Sequence, residues 1–126
     1  MADSSREVVI DAKPETGGEG QGVRPMELLL MGLGGCTGID VAMILERMRI
    51  QLDRLEMQVD GERADADPKK YTRFTITYFI DAPAAPLDKV MRAIRLSQDK
   101  YCSVAHSFAA PVTAVLILNG ERYEMA

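Results

Sequence analysis

The side chains that could do chemistry in this chain are two cysteines, a single histidine and one aspartate. Cys36 and Cys102 are the only cysteines, and His106 is the only histidine. Asp40 follows Cys36 at a spacing of i,i+4, and His106 follows Cys102 at the same spacing. On a helix this spacing places both members of a pair on one face. Together these side chains would form a set of two thiols, one imidazole and one carboxylate.

This set leaves several chemistries open. A zinc site could use all four side chains, although structural zinc sites normally have ligands that are closer together in sequence. A cysteine-histidine nucleophile for acyl transfer could form between Cys102 and His106, but no third member and no oxyanion donor can be recognised. The two thiols could also be a redox pair, or simply small buried hydrophobic groups.

The two sulfurs are predicted to lie in different local environments. Cys102 is placed at the start of a short helix, where free backbone N–H groups stabilise a thiolate. Cys36 lies about three turns into a long helix, so a thiolate there needs a cation or a hydrogen-bond donor from elsewhere in the fold. Gly34 and Gly38 lie one turn apart beside Cys36, and each costs about 1 kcal/mol relative to alanine inside a helix. Close packing against another helix would explain them without any chemistry.

The longest predicted element is a helix that begins at Pro25 and continues for about six turns. Between Glu27 and Glu46 its only charged residue is Asp40, so the helix is predicted to be buried on all sides. A membrane-spanning role is rejected because Asp40 and several glycines interrupt the apolar run. A chain of this size cannot cover such a helix alone, so we expect an obligate homodimer with an extensive apolar interface.

The remaining pattern predicts an α+β domain with the order β-α-β-β-α-α-β, in which helices pack on one side of a largely antiparallel sheet. Residues 1–126 form one domain, and the glycine-rich residues 12–24 are expected to be a flexible loop. The other predicted elements are a strand at 8–11, a hairpin of two alternating strands, a helix from Pro86, a short helix before Pro111 and a strand ending at Asn119.

Charge and composition exclude some partners. The net charge is -4, aromatic residues make up 6% of the chain, and no basic stripe is present, so nucleic acid is not an expected partner. The chain shows no secretory pattern at its start, so a cytoplasmic location is expected. Two cysteines without a CxxC spacing do not predict a disulfide framework in such a chain.

Two segments, "RPMELLLMGLGGCTGIDV" and "LSQDKYCSVAHS", together resemble the OsmC/Ohr family of thiol-dependent peroxidases, and most closely its YhfA-like branch. The resemblance covers most of residues 23–118. It implies a two-layer α+β fold with a long buried central helix and an intertwined homodimer, with two equivalent active sites at the interface. It also implies that Cys36 is oxidised by a hydroperoxide to a sulfenic acid, which Cys102 resolves to a disulfide.

The resemblance carries further expectations about the site. Family members use an arginine and a glutamate to activate the first cysteine, and Arg24 and Glu27 are the candidates here. An external dithiol such as a lipoyl group would restore the thiols, and no metal or bound cofactor is expected. The N-terminal strand region is expected to be shorter than in relatives. The implied function is reduction of organic hydroperoxides in oxidative stress defence; the alternative is a dimer on the same scaffold that binds a small molecule or senses redox state.

Overall fold

A four-stranded sheet and three α-helices make up the computed structural model, which describes residues 5–125. The elements in chain order are a 3-10 turn (Pro14–Thr16), α1 (Pro25–Arg47), β1 (Arg54–Arg63), β2 (Tyr71–Asp81), α2 (Leu87–Leu96), a π-helical turn (Ser97–Tyr101), α3 (Ser103–His106), β3 (Val112–Leu118) and β4 (Glu121–Met125). The sheet order is β1-β2-β3-β4; β2 and β3 are parallel, and the other neighbours are antiparallel. The predicted mixed α+β class is confirmed.

The hairpin of β1 and β2 follows the predicted alternation. From Phe74 onward every second residue of β2 is buried, namely Phe74, Ile76, Tyr78 and Ile80. Opposite them, Met57 pairs with Tyr78 and Val59 pairs with Ile76. Alternate side chains of a strand point to opposite faces, so this face of the sheet carries the core and lies against the helices.

Helix α1 begins at the predicted proline and packs against β1 through its two spaced glycines. A Cβ atom added at Gly34 would lie 2.9 Å from Cγ2 of Val59, and one added at Gly38 would lie 3.3 Å from Cγ of Met57. A side chain at Gly34 would require Val59 to shift, and one at Gly38 would require Met57 to move by a few tenths of an ångström. The small residues therefore admit a strand, and the prediction that they admit a second helix is wrong for these two positions.

The opposite side of α1 is exposed within one chain. Met31, Ile39 and Met43 are 54%, 64% and 47% exposed, and Gly35 lies among them with nothing near its missing side chain. We call these four residues the exposed α1 stripe. The single chain therefore does not bury the helix on all sides. By length and composition α1 could cross a membrane, but its other face contributes to the core of a soluble fold.

The N-terminal segment departs from the prediction. The strand expected at residues 8–11 is reduced to one isolated bridge between Ile10 and Val23, because the sheet offers these residues no neighbouring strand. The carboxylate of Asp11 accepts backbone N–H bonds from Glu19 and Gln21 at 3.0 and 3.2 Å and so closes the glycine-rich loop. The flexibility of residues 12–24 stays a prediction.

Strand β4 was not predicted from the sequence. Asn119 and Gly120 have positive φ angles of 50° and 86°, which two-residue hairpin turns require, and they return the chain as β4 beside β3. The Asn119 side chain also accepts from the Ala82 N–H at 2.8 Å and donates to the Ala82 carbonyl at 3.1 Å. The Asn-Gly signal was present, but the charged strand that follows it lacks a hydrophobic alternation.

Candidate functional site

Cys36 and Cys102 come together in the folded chain, with Asp40 beside them. The two Sγ atoms and a carboxylate oxygen of Asp40 all lie within 4.8 Å of one another. Both cysteines are free thiols; Cys36 is partly exposed, and Cys102 is buried. A disulfide bond is about 2.05 Å long, so the two sulfurs need only a local rearrangement to bond.

The π-helical turn places Cys102 against α1. Helix α2 ends at Leu96, and the chain continues through the wider turn Ser97–Tyr101. The backbone N–H of Cys102 closes this turn by donating to the Ser97 carbonyl at 2.7 Å. Single π-helical turns of this kind occur frequently at functional sites. Here the turn holds the second sulfur opposite the middle of the long helix.

The environment of Cys102 favours its protonated form. The Ala105 N–H donates to the Cys102 sulfur at 3.4 Å, as expected at the start of a helix. Burial has the larger effect and raises the pKa of the thiol from 9.0 to about 11, and the neighbouring Cys36 and Asp40 raise the pKa as well. The expected stabilisation of a Cys102 thiolate by the helix is therefore outweighed, and Cys102 is a thiol at neutral pH.

A buried network of hydroxyl groups surrounds the cluster. The Thr37 hydroxyl lies 2.8 Å from the Tyr78 phenol oxygen and 2.7 Å from the Ser97 hydroxyl. Ser97 donates to Oδ2 of Asp40 at 2.9 Å, and the Gln98 amide donates to the Tyr78 oxygen at 3.0 Å. The network links α1, β2 and the π-helical turn, so it fixes the orientation of the Asp40 carboxylate.

Thr37, Tyr78 and Ser97 were not among the site residues predicted from the sequence. A threonine directly after the cysteine in an apolar helix is one available signal, since a buried hydroxyl needs a partner. A tyrosine on the buried face of a strand is another, because its phenol group also needs one. Which of these groups meet is decided by the packing of α1 on the sheet.

His106 does not join the cluster. Its side chain is exposed, and its ring lies outside the group of ligand atoms formed by the two sulfurs and Asp40. Among residues 5–125, no side-chain hydrogen bond links the ring to Cys102, although the His106 N–H donates to the Cys102 carbonyl at 3.2 Å. The predicted four-membered set is therefore reduced to three, and the cysteine-histidine nucleophile is not formed.

Arg24 and Glu27 lie at the N-terminal end of α1 and contact each other. The Arg24 N–H donates to Oε1 of Glu27 at 2.9 Å, and the guanidinium lies 3.5 Å from the same oxygen. At a rise of about 1.5 Å per residue, Arg24 is about 18 Å and Glu27 about 14 Å along the helix from Cys36. The chain alone does not bring this pair to the sulfur, and its role there stays a prediction.

A groove of about 700 Å³ lies beside the same end of α1. Leu29, Tyr71 and Phe108 contribute to its walls, and neither cysteine lines it. Its floor also includes Phe74, whose ring lies 4.8 Å from that of Phe108. The two sulfurs therefore do not lie on this groove.

Comparison with known proteins places the chain in a family. Residues 18–116 match the family model described as OsmC-like protein. The chain is 37% identical to Protein YhfA of Escherichia coli (strain K12) over 81 residues, which are 64% of this chain and 60% of that protein. The match thus spans three fifths of the length of this relative.

Solved structures share the fold. A hypothetical protein from Aquifex aeolicus VF5 is 31% identical, with a TM-score of 0.73 over 80% of this chain and 76% of that chain. An organic hydroperoxide resistance protein OsmC from Legionella pneumophila is 15% identical, with a TM-score of 0.64 over 92% of this chain and 83% of that chain. The second likeness is one of fold alone. Because the family model covers most of the sequence, including both cysteines, the chain belongs to the OsmC-like protein family.

Proposed function

We propose that this protein reduces organic hydroperoxides through a two-cysteine cycle, in oxidative stress defence. The observation that carries the proposal is the placement of the Cys36 and Cys102 sulfurs within 4.8 Å of each other, although they are far apart in sequence. The name of the Legionella pneumophila neighbour, an organic hydroperoxide resistance protein, supports the substrate class. Family membership supports the same chemistry.

The two cysteines have different roles in this proposal. Cys36 is partly exposed, so a peroxide can reach its sulfur from solvent. Cys102 is fully buried, and its raised pKa keeps it protonated at neutral pH. The attacking sulfur must be a thiolate and must be accessible, whereas the resolving sulfur need only lie close by. Cys36 is therefore the peroxidatic cysteine and Cys102 the resolving one.

The reaction has three balanced steps. The Cys36 thiolate attacks one peroxide oxygen, the O–O bond breaks, and the alkoxide takes a proton and leaves as an alcohol, with Cys36 oxidised to a sulfenic acid. The Cys102 sulfur then attacks the Cys36 sulfur; the Cys102 proton and the sulfenic hydroxyl leave together as water, and a disulfide forms. An external dithiol, such as a lipoyl group, reduces this disulfide by exchange and becomes a disulfide itself.

The proposed active form is a homodimer with the site at its interface. At about 100° per residue, Cys36 lies at the edge of the exposed α1 stripe, between the exposed and buried sides of the helix. A second copy packed on this stripe would cover the exposed Met31 and Ile39 and leave Cys36 at the edge of the interface, where a peroxide can still reach it. Arg24 and Glu27 would activate Cys36 only if this assembly brings them to it. A cytoplasmic location would supply the dithiol reductant.

Stoichiometric oxidation tests the proposal. Reduced, chelator-treated protein is mixed with one equivalent of cumene hydroperoxide, and its peptides are analysed without reduction. We expect both thiols to be consumed and a peptide pair joined by Cys36 and Cys102 to appear within one chain. The Cys102→Ser variant should lose one thiol and form a dimedone adduct at Cys36.

The Cys36→Ser variant is the matched control. Its remaining thiol should react with the peroxide no faster than free cysteine does. A sulfenic acid formed rapidly at Cys102 of this variant, and trapped there as a dimedone adduct, would reverse the assigned roles. Thiols that stay intact in the wild-type protein would overturn the peroxidase proposal and favour a small-molecule binding protein on the same scaffold.

A further inference from the structure

We propose that the reduced site also binds one thiophilic divalent cation per chain, Zn²⁺ or Cd²⁺, through the Cys36 sulfur, the Cys102 sulfur and the Asp40 carboxylate. The inference uses the residues of the proposed function but does not depend on peroxide turnover. It rests on the convergence of three ligand atoms and on the charge of the cluster. Its consequence is that the metal and the peroxide compete for the same thiols.

The geometry suits a tetrahedral metal ion. Zinc binds thiolate sulfur at about 2.3 Å and carboxylate oxygen at about 2.0–2.2 Å, which places neighbouring ligand atoms about 3.5–3.8 Å apart. The three atoms here lie within 4.8 Å of one another, so their separations need to shorten by at most about 1.3 Å to match those around a bound zinc ion. Cys36 and Asp40 are one helical turn apart on α1 and face the same way. Changes in side-chain rotamer can supply this movement.

The charge of the cluster also favours a cation. Asp40 takes part in none of the ion pairs formed within residues 5–125, so its carboxylate faces the two thiols without a described positive partner. A divalent cation bound by two thiolates and the Asp40 carboxylate leaves the site with a net charge of -1, and any thiol proton still present is released on binding.

The surrounding hydrogen bonds orient the carboxylate for this role. Ser97 donates to Oδ2 of Asp40, the Thr37 hydroxyl contacts the Ser97 hydroxyl, and the Tyr78 phenol oxygen in turn contacts Thr37. No hydrogen bond to Oδ1 is formed within the part of the chain that the structure describes, so this oxygen is available to a ligand. Partners that orient a ligand in this way strengthen metal binding by about 10–100-fold. A solvent molecule can complete the tetrahedron on the exposed side of Cys36.

Titration of the reduced, metal-free protein with Cd²⁺ tests the inference. The sulfur-to-cadmium charge-transfer absorbance should rise to a plateau at one Cd²⁺ per chain, and calorimetry with Zn²⁺ should give the same stoichiometry, with release of protons from the thiols. Asp40→Asn should weaken binding at least tenfold, whereas Asp60→Asn, on the exposed side of β1, should leave it unchanged. A plateau well below one per chain, or equal affinity in Asp40→Asn, would overturn the inference.

The oxidised wild-type protein provides a second test that needs no substitution. Once Cys36 and Cys102 are joined by a disulfide, both sulfurs are lost as thiolate ligands, so Cd²⁺ binding should disappear and return after reduction. Binding that survives oxidation would show that the metal uses other groups, and would overturn the inference. This test also covers the case in which a variant at Asp40 does not fold.

The outcome can be separated from that of the proposed function. Metal binding without peroxide-driven disulfide formation would support the metal site and refute the peroxidase. Disulfide formation without metal binding would do the reverse. If both proposals hold, one equivalent of Zn²⁺ should slow disulfide formation by cumene hydroperoxide at least tenfold, and a chelator should restore the rate.

Discussion

The Thr37 hydroxyl on α1 lies 2.8 Å from the Tyr78 phenol oxygen on β2, and this contact joins the helix that carries Cys36 to a central strand of the sheet. Both side chains are fully buried. Every buried polar side-chain atom among the described residues has a hydrogen-bond partner. Buried hydrogen bonds therefore support the candidate site, and a substitution that removes one partner would leave the other polar group unpaired in the core.

Removal of the Tyr78 hydroxyl should destabilise the fold. In Tyr78→Phe the Gln98 amide loses the phenol oxygen to which it donates, and the Thr37 hydroxyl loses one of its two hydrogen-bond partners. The free energy of unfolding should therefore fall by about 1–3 kcal/mol. Urea denaturation measures this change. Tyr101→Phe is the control, since Tyr101 is half exposed, and its effect should stay within about 0.5 kcal/mol. Equal effects of the two substitutions would contradict the importance of the network.

The contact of Gly34 with β1 predicts a coupled pair of substitutions. Gly34→Ala places a methyl group 2.9 Å from Cγ2 of Val59, and overpacking of this kind costs about 1–3 kcal/mol, more than the gain of about 1 kcal/mol in helix propensity. In a Val59→Ala background the clash is absent, so Gly34→Ala should become neutral or stabilising. The coupling energy from a double-mutant cycle measures the contact. Strict additivity would show that the helix and the strand do not touch there.

The exposed α1 stripe predicts a dimer that a charge can disrupt. Ile39 is 64% exposed in the single chain, so Ile39→Glu should leave the fold intact but place a charge in the proposed interface. Sedimentation velocity at micromolar concentration should show a dimer for the wild type and a monomer for the variant. Thr113→Glu introduces the same charge on an exposed position of β3 and should remain dimeric. A wild-type monomer would refute the proposed assembly.

The buried Cys102 thiol predicts a loss of stability in alkali. Its pKa is 9.0 when unperturbed and about 11 in the folded chain. Between these values the unfolded chain has released the proton and the folded chain keeps it, so the free energy of unfolding falls as pH rises, by at most about 1.4 kcal/mol per pH unit.

Urea denaturation of reduced, chelator-treated protein across this pH range checks the slope. Cys102→Ala lacks the titrating thiol but keeps every tyrosine, so its stability should fall less steeply than that of the wild type. Identical slopes would mean that Cys102 ionises as readily in the folded chain as in the unfolded one.

The sequence alone determined the elements whose patterns are local. Pro25 sets the start of α1, and the alternation along β1 and β2 identifies a hairpin and its buried face, because each pattern depends on residues only a few positions apart. The two cysteines and the residues around them were sufficient to identify the family. The Asn119-Gly120 turn carried a local signal for β4, but the short charged strand after it did not.

Only the tertiary structure decided which of the candidate groups meet. The choice of Asp40 over His106 as the neighbour of the two sulfurs depends on how the π-helical turn packs on α1, and no spacing in the sequence encodes that contact. Burial likewise decides that Cys102 stays protonated, against the local effect of its helix. The distances between the site side chains and the pKa of Cys102 depend on which surfaces pack against each other and exclude water. That packing is a property of the folded chain as a whole.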